Sequence, residues 1–199
     1  MESAEMSRNG ASGVDRTYLN FANLVKERFA FLSALGFVEV ESLPTLVLYR
    51  NGDIDVDVYH GRRSYEIGFG ITRQGVRYSL SECIRSTDPE FAEKYRYPTA
   101  TTQEVLADGL TKTAELAKRY CIKVLQGDPA FFTTLGSQRK LWAEKYAFDV
   151  MADKLRPKAH EAFRLGKYRE AAELYRKIES VLSPAERKKL AIAEERSKE

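Results

Sequence analysis

The chain has 199 residues, a formal net charge of +3 and 43% hydrophobic residues, among them 11 Tyr and 10 Phe. This composition supports packed cores and excludes a globally disordered chain, and the small net charge does not require a nucleic-acid partner. Its two cysteines, Cys83 and Cys121, are too few for a disulfide framework, so we expect reduced, buried thiols.

Neither a membrane span nor a secretory signal is predicted. No apolar run reaches the roughly 18–20 residues that a span requires, and the first residues lack the apolar centre of a signal peptide. We therefore expect a cytoplasmic protein whose small, polar residues 1–15 are disordered.

The segment 16–86 is predicted to be an α+β domain that begins with a helix. Over about 16–35, apolar side chains fall on a single helical face. A capping box at Ser79–Glu82 predicts a second, short helix that ends near Arg85. The first helical face consists of Tyr18, Phe21, Val25, Phe29 and Leu32.

Between these helices the sequence predicts a four-stranded antiparallel meander. The first two strands are expected at 37–42 and 46–49. Apolar and polar residues then alternate over 53–59 and again over 65–72, which is the pattern of half-buried strands. Asn51-Gly52 is a dipeptide that tight hairpins prefer because its residues tolerate positive φ.

The outward face of this sheet is the candidate binding surface. We expect it to group acidic side chains around one aromatic ring, namely Asp53, Asp55, Asp57, Tyr59 and Glu66. Opposed charges accelerate encounter and an aromatic side chain anchors a complex, so the cluster favours a protein partner, in particular a basic one. Gly68 and Gly70 leave bare backbone on the same face, where a covering helix or a partner has room to approach. The alternative is an ordinary solvated sheet face.

The aspartates do not satisfy the spacing of a calcium-binding loop, which needs glycine at its sixth position. Counted from Asp53 that position is Val58, and counted from Asp55 it is His60. Neither His60 nor His160 lies in a zinc-ligand spacing. We therefore expect no metal site and no cofactor.

Known catalytic motifs are missing from the sequence as well. It contains no nucleophile elbow, phosphate-binding loop or dinucleotide-binding glycine motif. We therefore expect a protein that is not an enzyme and has no small-molecule substrate. A triad assembled by the fold around His60 is the catalytic alternative.

The remainder of the chain is predicted to be a connector, 87–100, followed by a helical domain, 101–199. Gly136-Ser137 is expected to separate a short helix from a longer one that runs to about Leu155. This longer helix is predicted to bury Leu141, Trp142, Ala147, Val150 and Met151 in some combination. A final helix is expected at 184–197, with Leu190 and Ile192 as its anchors.

Residues 152–185 resemble a single tetratricopeptide repeat, a pair of antiparallel helices. The match is carried by Leu155, the turn Gly166-Lys167-Tyr168, Ala171, Tyr175 and Pro184. Pro157 departs from the pattern and is expected to interrupt the first helix. Because a lone repeat cannot bury its apolar face, either the preceding helices are degenerate repeats or the hairpin packs on them as a cap.

The N-terminal part resembles small bacterial α+β proteins, some of which act as immunity proteins against toxins. The resemblance lies in a helix that ends in Leu-Gly-Phe, followed by strands and by Ser79-Leu80-Ser81-Glu82. Together, these patterns predict a non-catalytic protein-binding module, such as a bacterial immunity or adaptor protein. The alternative is a nucleic-acid-associated factor that uses the basic C-terminal helices, where residues 101–199 carry 20 Lys and Arg against 15 Asp and Glu.

Overall fold

The computed structural model describes residues 16–198, and the chain divides into two compact units, 1–136 and 137–199. The predicted α+β class is confirmed: N-terminal helices, an antiparallel sheet and a long helical region follow one another. The segment 1–15, predicted to be disordered, lies outside the described residues. The segment 87–100, predicted to be a connector, belongs to the first unit.

The predicted helix at 16–35 is in fact three shorter pieces. A 3-10 turn at Thr17–Leu19 is followed by α1, Phe21–Arg28, and α2, Phe31–Ala34. The first break lies at Asn20, whose φ of 52° is left-handed and therefore incompatible with a continuing helix. The second break turns the chain at Phe29, whose ring is fully buried.

The sheet has five strands rather than the predicted four, in the order β1-β2-β3-β4-β5, and all neighbours are antiparallel. The missed strand is β5, which is short and follows a two-residue turn at Gln74-Gly75, where both residues have positive φ. The five strands are β1 Val38–Leu43, β2 Leu46–Asn51, β3 Ile54–His60, β4 Ile67–Arg73 and β5 Val76–Ser79.

The hairpin between β2 and β3 is shifted by one residue from its predicted position. Asn51 pairs with Ile54, so the two turn residues are Gly52 and Asp53. Of these positions, Gly52 alone has a positive φ, 57°. The Asn51 side chain instead donates a hydrogen bond to the Leu35 carbonyl at 3.0 Å, which ties the hairpin to the N-terminal helices.

Helices cover the inner face of the sheet and form one core with it. α3, Leu80–Thr87, begins with the predicted capping box at Ser79 and Glu82. α5, Gln103–Tyr120, approaches β4 closely because Gly109 has no side chain: a Cβ there would lie 2.3 Å from Cδ1 of Ile67. The fully buried side chains of this core include Phe21, Val25, Val56, Val58, Phe69, Ile71, Leu106 and Leu110.

The segment after α3 packs along the sheet as an ordered part of the first unit. It contains a short helix, α4, Pro89–Lys94. The Pro98 carbonyl then accepts from the Ile67 amide at 2.8 Å, and the Ala100 amide donates to the Tyr65 carbonyl at 2.9 Å. A helix of four residues, α6, Ile122–Leu125, follows α5.

The expected break at Gly136-Ser137 is wrong, because α7 runs unbroken as Pro129–Arg164. Pro157 lies inside α7 and does not end it. The side chains that the sequence predicted to be buried are largely exposed: Leu141, Trp142 and Met151 all reach solvent. In the middle of α7, Leu141, Trp142 and Tyr146 are each more than half exposed.

The second unit has its own small core, built from the end of α7 and two further helices. α8 spans Tyr168–Arg176 and α9 spans Pro184–Arg196, with a 3-10 turn at Glu179–Val181 between them. Gly166 has a φ of 73°, which permits the tight turn before α8. In α9, Leu190 is buried as expected, whereas Ile192 is exposed. The core side chains are Ala152, Ala159, Ala162, Ala171, Ala172, Tyr175, Ile178, Leu182, Leu190 and Ala193.

Candidate binding face on the outer side of the sheet

Strand register defines which side chains share the outward surface of the sheet, which we call the outer face. In one row across the strands, Leu43 pairs with Leu46, Leu46 with Tyr59, and Tyr59 with Gly68. A second row contains Leu48, Asp57 and Gly70, and a third contains Arg50, Asp55, Thr72 and Arg77. In β2 and β3 the side chains that alternate with them, Val47, Tyr49, Val56 and Val58, are buried in the core, as the alternation of a half-buried sheet requires.

Four of the five predicted site residues are positioned at this surface. Asp55, Asp57 and Tyr59 lie on the outer face of β3. Glu66 lies just before β4, where its backbone forms an isolated antiparallel β-bridge with Thr99. Asp53 is different, because it belongs to the hairpin turn and not to the strand. Its carboxylate accepts from Arg73 at 2.8 Å, and the Arg73 guanidinium contacts the Phe132 ring on the helical side of the sheet.

The two aspartates of the outer face are each held by an arginine from another strand. Arg50 of β2 donates two hydrogen bonds to Asp55, at 2.6 and 2.9 Å. Arg77 of β5 donates two to Asp57, at 2.8 and 2.6 Å. Paired hydrogen bonds of this kind fix both partners in one geometry. The acidic cluster that the sequence suggested is therefore a set of ion pairs, since an arginine neutralises each of the three aspartates.

The two glycines of β4 make room for side chains of the same chain. A Cβ on Gly68 would lie 2.1 Å from the Tyr59 ring, and a Cβ on Gly70 would lie 2.2 Å from the Arg77 guanidinium. Tyr59 thus lies flat over Gly68, and Arg77 crosses β4 over Gly70 to reach Asp57. The space that the sequence analysis assigned to a helix or a partner is filled from within the sheet.

The ionisation of the outer face follows from these contacts. The hydrogen bonds from Arg50 hold the pKa of Asp55 below its ordinary value. The hydrogen bonds to Asp57 raise the pKa of Arg77. Partial burial raises the pKa of Tyr59, against the opposing charge of Arg77. At neutral pH the Arg50–Asp55 and Arg77–Asp57 pairs consequently carry mutually compensated charges, and the Tyr59 phenol is neutral.

Sequence reasoning missed the apolar side chains that adjoin the ion pairs. Leu46 and Leu48 of β2 are half-buried on the outer face, and Leu43 of β1 is 42% exposed. Val38 and Val40 of the same edge strand are also exposed. The signal was present in the sequence, because Leu46 and Leu48 alternate with Val47 and Tyr49. Apolar residues on both faces obscured which pair points outward.

No protein-family model, curated protein or solved structure matches this chain.

His60, the residue of the catalytic alternative, is fully buried at the end of β3. Arg16 donates to its Nδ1 at 3.1 Å, so Nε2 carries the proton and donates to the Ala100 carbonyl at 2.8 Å. Burial lowers the pKa of His60, opposed by the hydrogen bond to Ala100 and reinforced by the charge of Arg16. Nδ1 thus joins the end of β3 to Arg16, and Nε2 joins it to Ala100 in the segment before α5.

His160 belongs to a second polar cluster, in the second unit. Its Nε2 and the Arg156 Nε both contact Oε1 of the buried Glu186, at 3.1 and 3.0 Å. Oε2 of Glu186 accepts from the Ser183 amide at 2.7 Å and completes a capping box for α9. The cluster therefore joins α7 to the start of α9.

Within residues 16–198, no three His, Cys, Asp or Glu side chains are grouped as metal ligands would be. Among the helices of the same described part, none combines the length and apolar character of a membrane span.

Proposed function

We propose that this chain is a non-catalytic protein-binding module, of the adaptor or immunity kind, that binds its partner through the outer face. The proposal is supported by the apolar row Leu43–Leu46–Tyr59, which lies beside ion pairs that are already formed. Protein interfaces usually have an apolar centre and a polar or charged rim.

The ion pairs favour binding because they order the surface before the partner arrives. Arg50 and Arg77 lose little freedom on association, since each already makes two hydrogen bonds to an aspartate. The ordering of long side chains is a substantial cost of association, and prior ordering reduces it. Because the arginines already neutralise the aspartates, a basic partner gains little binding free energy from the aspartates themselves.

The partner we propose offers an apolar anchor and one cation. The anchor fits against Tyr59 and Leu46. Glu66 lies on the same side of the sheet, and within residues 16–198 no ion pair to its carboxylate is seen. A lysine or arginine of the partner placed beside Tyr59 would form an ion pair with the Glu66 carboxylate.

The helical second unit is less suited to nucleic acid than its positive charge suggests. Several of its arginines are engaged with carboxylates: Arg156 with Glu186, Arg164 with Glu161, and Arg176 with Glu194. Phosphate contacts need cations that are available to replace counterions. Nucleic-acid binding is therefore the second candidate function, and the capture experiment described next also detects it.

The experiment is affinity capture from a lysate of the native host, with two matched variants. Leu43→Lys adds a charge to the outer face, whereas Val76→Lys adds the same charge at the opposite edge strand, at an equally exposed position (42% against 41%). We expect a protein that wild type and Val76→Lys retain and Leu43→Lys loses. A protein retained equally by all three forms would place the binding surface elsewhere, and salt-sensitive retention of nucleic acid alone would favour the alternative.

A further inference from the structure

Strand β1 forms one edge of the sheet, and within residues 16–198 it pairs with β2 alone. All six of its residues are exposed, so the helices that cover the inner face of the sheet leave β1 uncovered. The opposite edge strand, β5, has four residues and buries Tyr78. Every second residue of an edge strand turns its N–H and C=O groups away from the sheet, where they can pair with another strand.

A β-bulge determines which side chains of β1 extend the outer face. The register between β1 and β2 skips Val40, so the alternation of the strand shifts by one residue at that point. The β1 side chains opposite the outer-face residues of β2 are therefore Val38, Glu41 and Leu43. Val38 is 67% exposed and Leu43 is 42% exposed. A strand added beyond β1 would meet an apolar, an acidic and an apolar side chain in turn.

The charge of β1 selects between the strands that could pair with it. Glu41 is exposed, and among the described residues 16–198 no ion pair to its carboxylate is seen. Glu39, on the other face of the strand, is paired with Lys26 at 3.0 Å. Antiparallel pairing of two β1 strands about Val40 would set Glu39 of each copy against Glu41 of the other. Like charges placed opposite each other destabilise a strand pair, whereas a basic strand meets no such repulsion.

We propose that β1 accepts an extended segment of the protein partner as a sixth strand, in which apolar side chains flank a lysine or arginine at spacings of two. Its apolar side chains lie beside Val38 and Leu43, and its cation lies beside Glu41. Strand addition takes affinity from backbone hydrogen bonds and specificity from alternate side chains. The inference rests on the proposed function, because it describes how the same partner reaches the outer face, whose apolar row begins at Leu43.

A synthetic peptide tests this edge without the natural partner. The probe is Thr-Val-Thr-Lys-Thr-Val-Thr, blocked at both ends and added to the full chain at low salt. We expect it to shift the amide NMR resonances of residues 38–43, and the same peptide with glutamate for lysine to bind about tenfold more weakly or less. Glu41→Lys should reverse this preference. The control, Glu115→Lys, changes an exposed acid of α5 and should retain the preference for the lysine peptide.

N-methylation of the peptide distinguishes strand addition from docking through side chains alone. The amides of a strand alternate in direction, so methyl groups on one alternate set block the hydrogen bonds to β1, and methyl groups on the other set leave them intact. We expect one set to abolish binding and the other to retain it. Equal effects of the two sets, or resonance shifts confined to residues outside 38–43, would overturn the inference.

Two other occupants of the edge would also overturn it. Shifts of residues 38–43 that grow with protein concentration alone would indicate a second copy on β1. Protection of every β1 amide from hydrogen exchange in the free chain would indicate an edge covered by the chain itself. If the peptide fails to bind while Leu43→Lys still loses a captured protein, this inference is refuted and the proposed function stands. If the peptide binds and capture is unaffected by Leu43→Lys, the proposed function is refuted instead.

Discussion

Replacing Glu186 by glutamine should destabilise the second unit, because the site needs two acceptor oxygens. Oε1 accepts from Arg156 and His160, and Oε2 accepts from the Ser183 amide. A glutamine side chain offers one acceptor and turns its NH₂ group toward one of these donors. A buried donor left without its acceptor costs about 1–3 kcal/mol. Glu186 is 7% exposed, so we expect Glu186→Gln to lower the free energy of unfolding by about 2 kcal/mol.

The matched control is Glu161→Gln. Glu161 also accepts two hydrogen bonds from an arginine, Arg164, but both side chains lie in solvent on one helix surface. Exposed ion pairs contribute little to the free energy of unfolding. This variant should therefore unfold at the same urea concentration as wild type, as followed by circular dichroism at 222 nm. Equal destabilisation by the two variants would refute the claim that burial and hydrogen-bond geometry make Glu186 important.

Three further predictions follow from the same contacts. Burial raises the pKa of Glu186, but the hydrogen bonds from Ser183 and the charge of Arg156 outweigh this and lower it overall. The second unit should therefore lose stability as the pH falls below about 4.5, the ordinary value, and an acid titration of Glu186→Gln should show a smaller loss. Gly109→Val should lower the free energy of unfolding by about 1–3 kcal/mol through overpacking, whereas Lys112→Val, at an exposed site of the same helix, should not. Cys83 and Cys121 are fully buried, and burial raises the pKa of the Cys121 thiol. A thiol reagent should thus label them about a hundredfold more slowly in the native protein than in urea.

The sequence was sufficient for the parts of the fold that local patterns determine. Alternation located β3 and β4, and the capping box located α3, because these signals depend on neighbouring residues alone. The short strand β5 and the continuity of α7 were missed. Their formation depends on pairing with β4 and on the tolerance of a long helix for Gly136 and Pro157, which no local pattern reports.

The candidate site was also predictable from the sequence only where local patterns determine it. Alternation placed Asp55, Asp57 and Tyr59 on the outer face of the sheet, as the structure has them. It could not reveal that Arg50 and Arg77 neutralise the aspartates, because these contacts join separate strands. The Asp57–Arg77 ion pair joins β3 to β5 across β4, and its formation depends on the bare backbone of Gly70 in β4.

The most direct test of the outer face is the affinity of the purified partner for three forms of the chain. Isothermal titration would compare wild type, Leu43→Lys and Val76→Lys, which carry the same added charge at equally exposed positions on opposite edge strands. The account predicts that Leu43→Lys raises the dissociation constant about tenfold or more, while Val76→Lys stays within about twofold of wild type. Equal affinities for Leu43→Lys and wild type would contradict it.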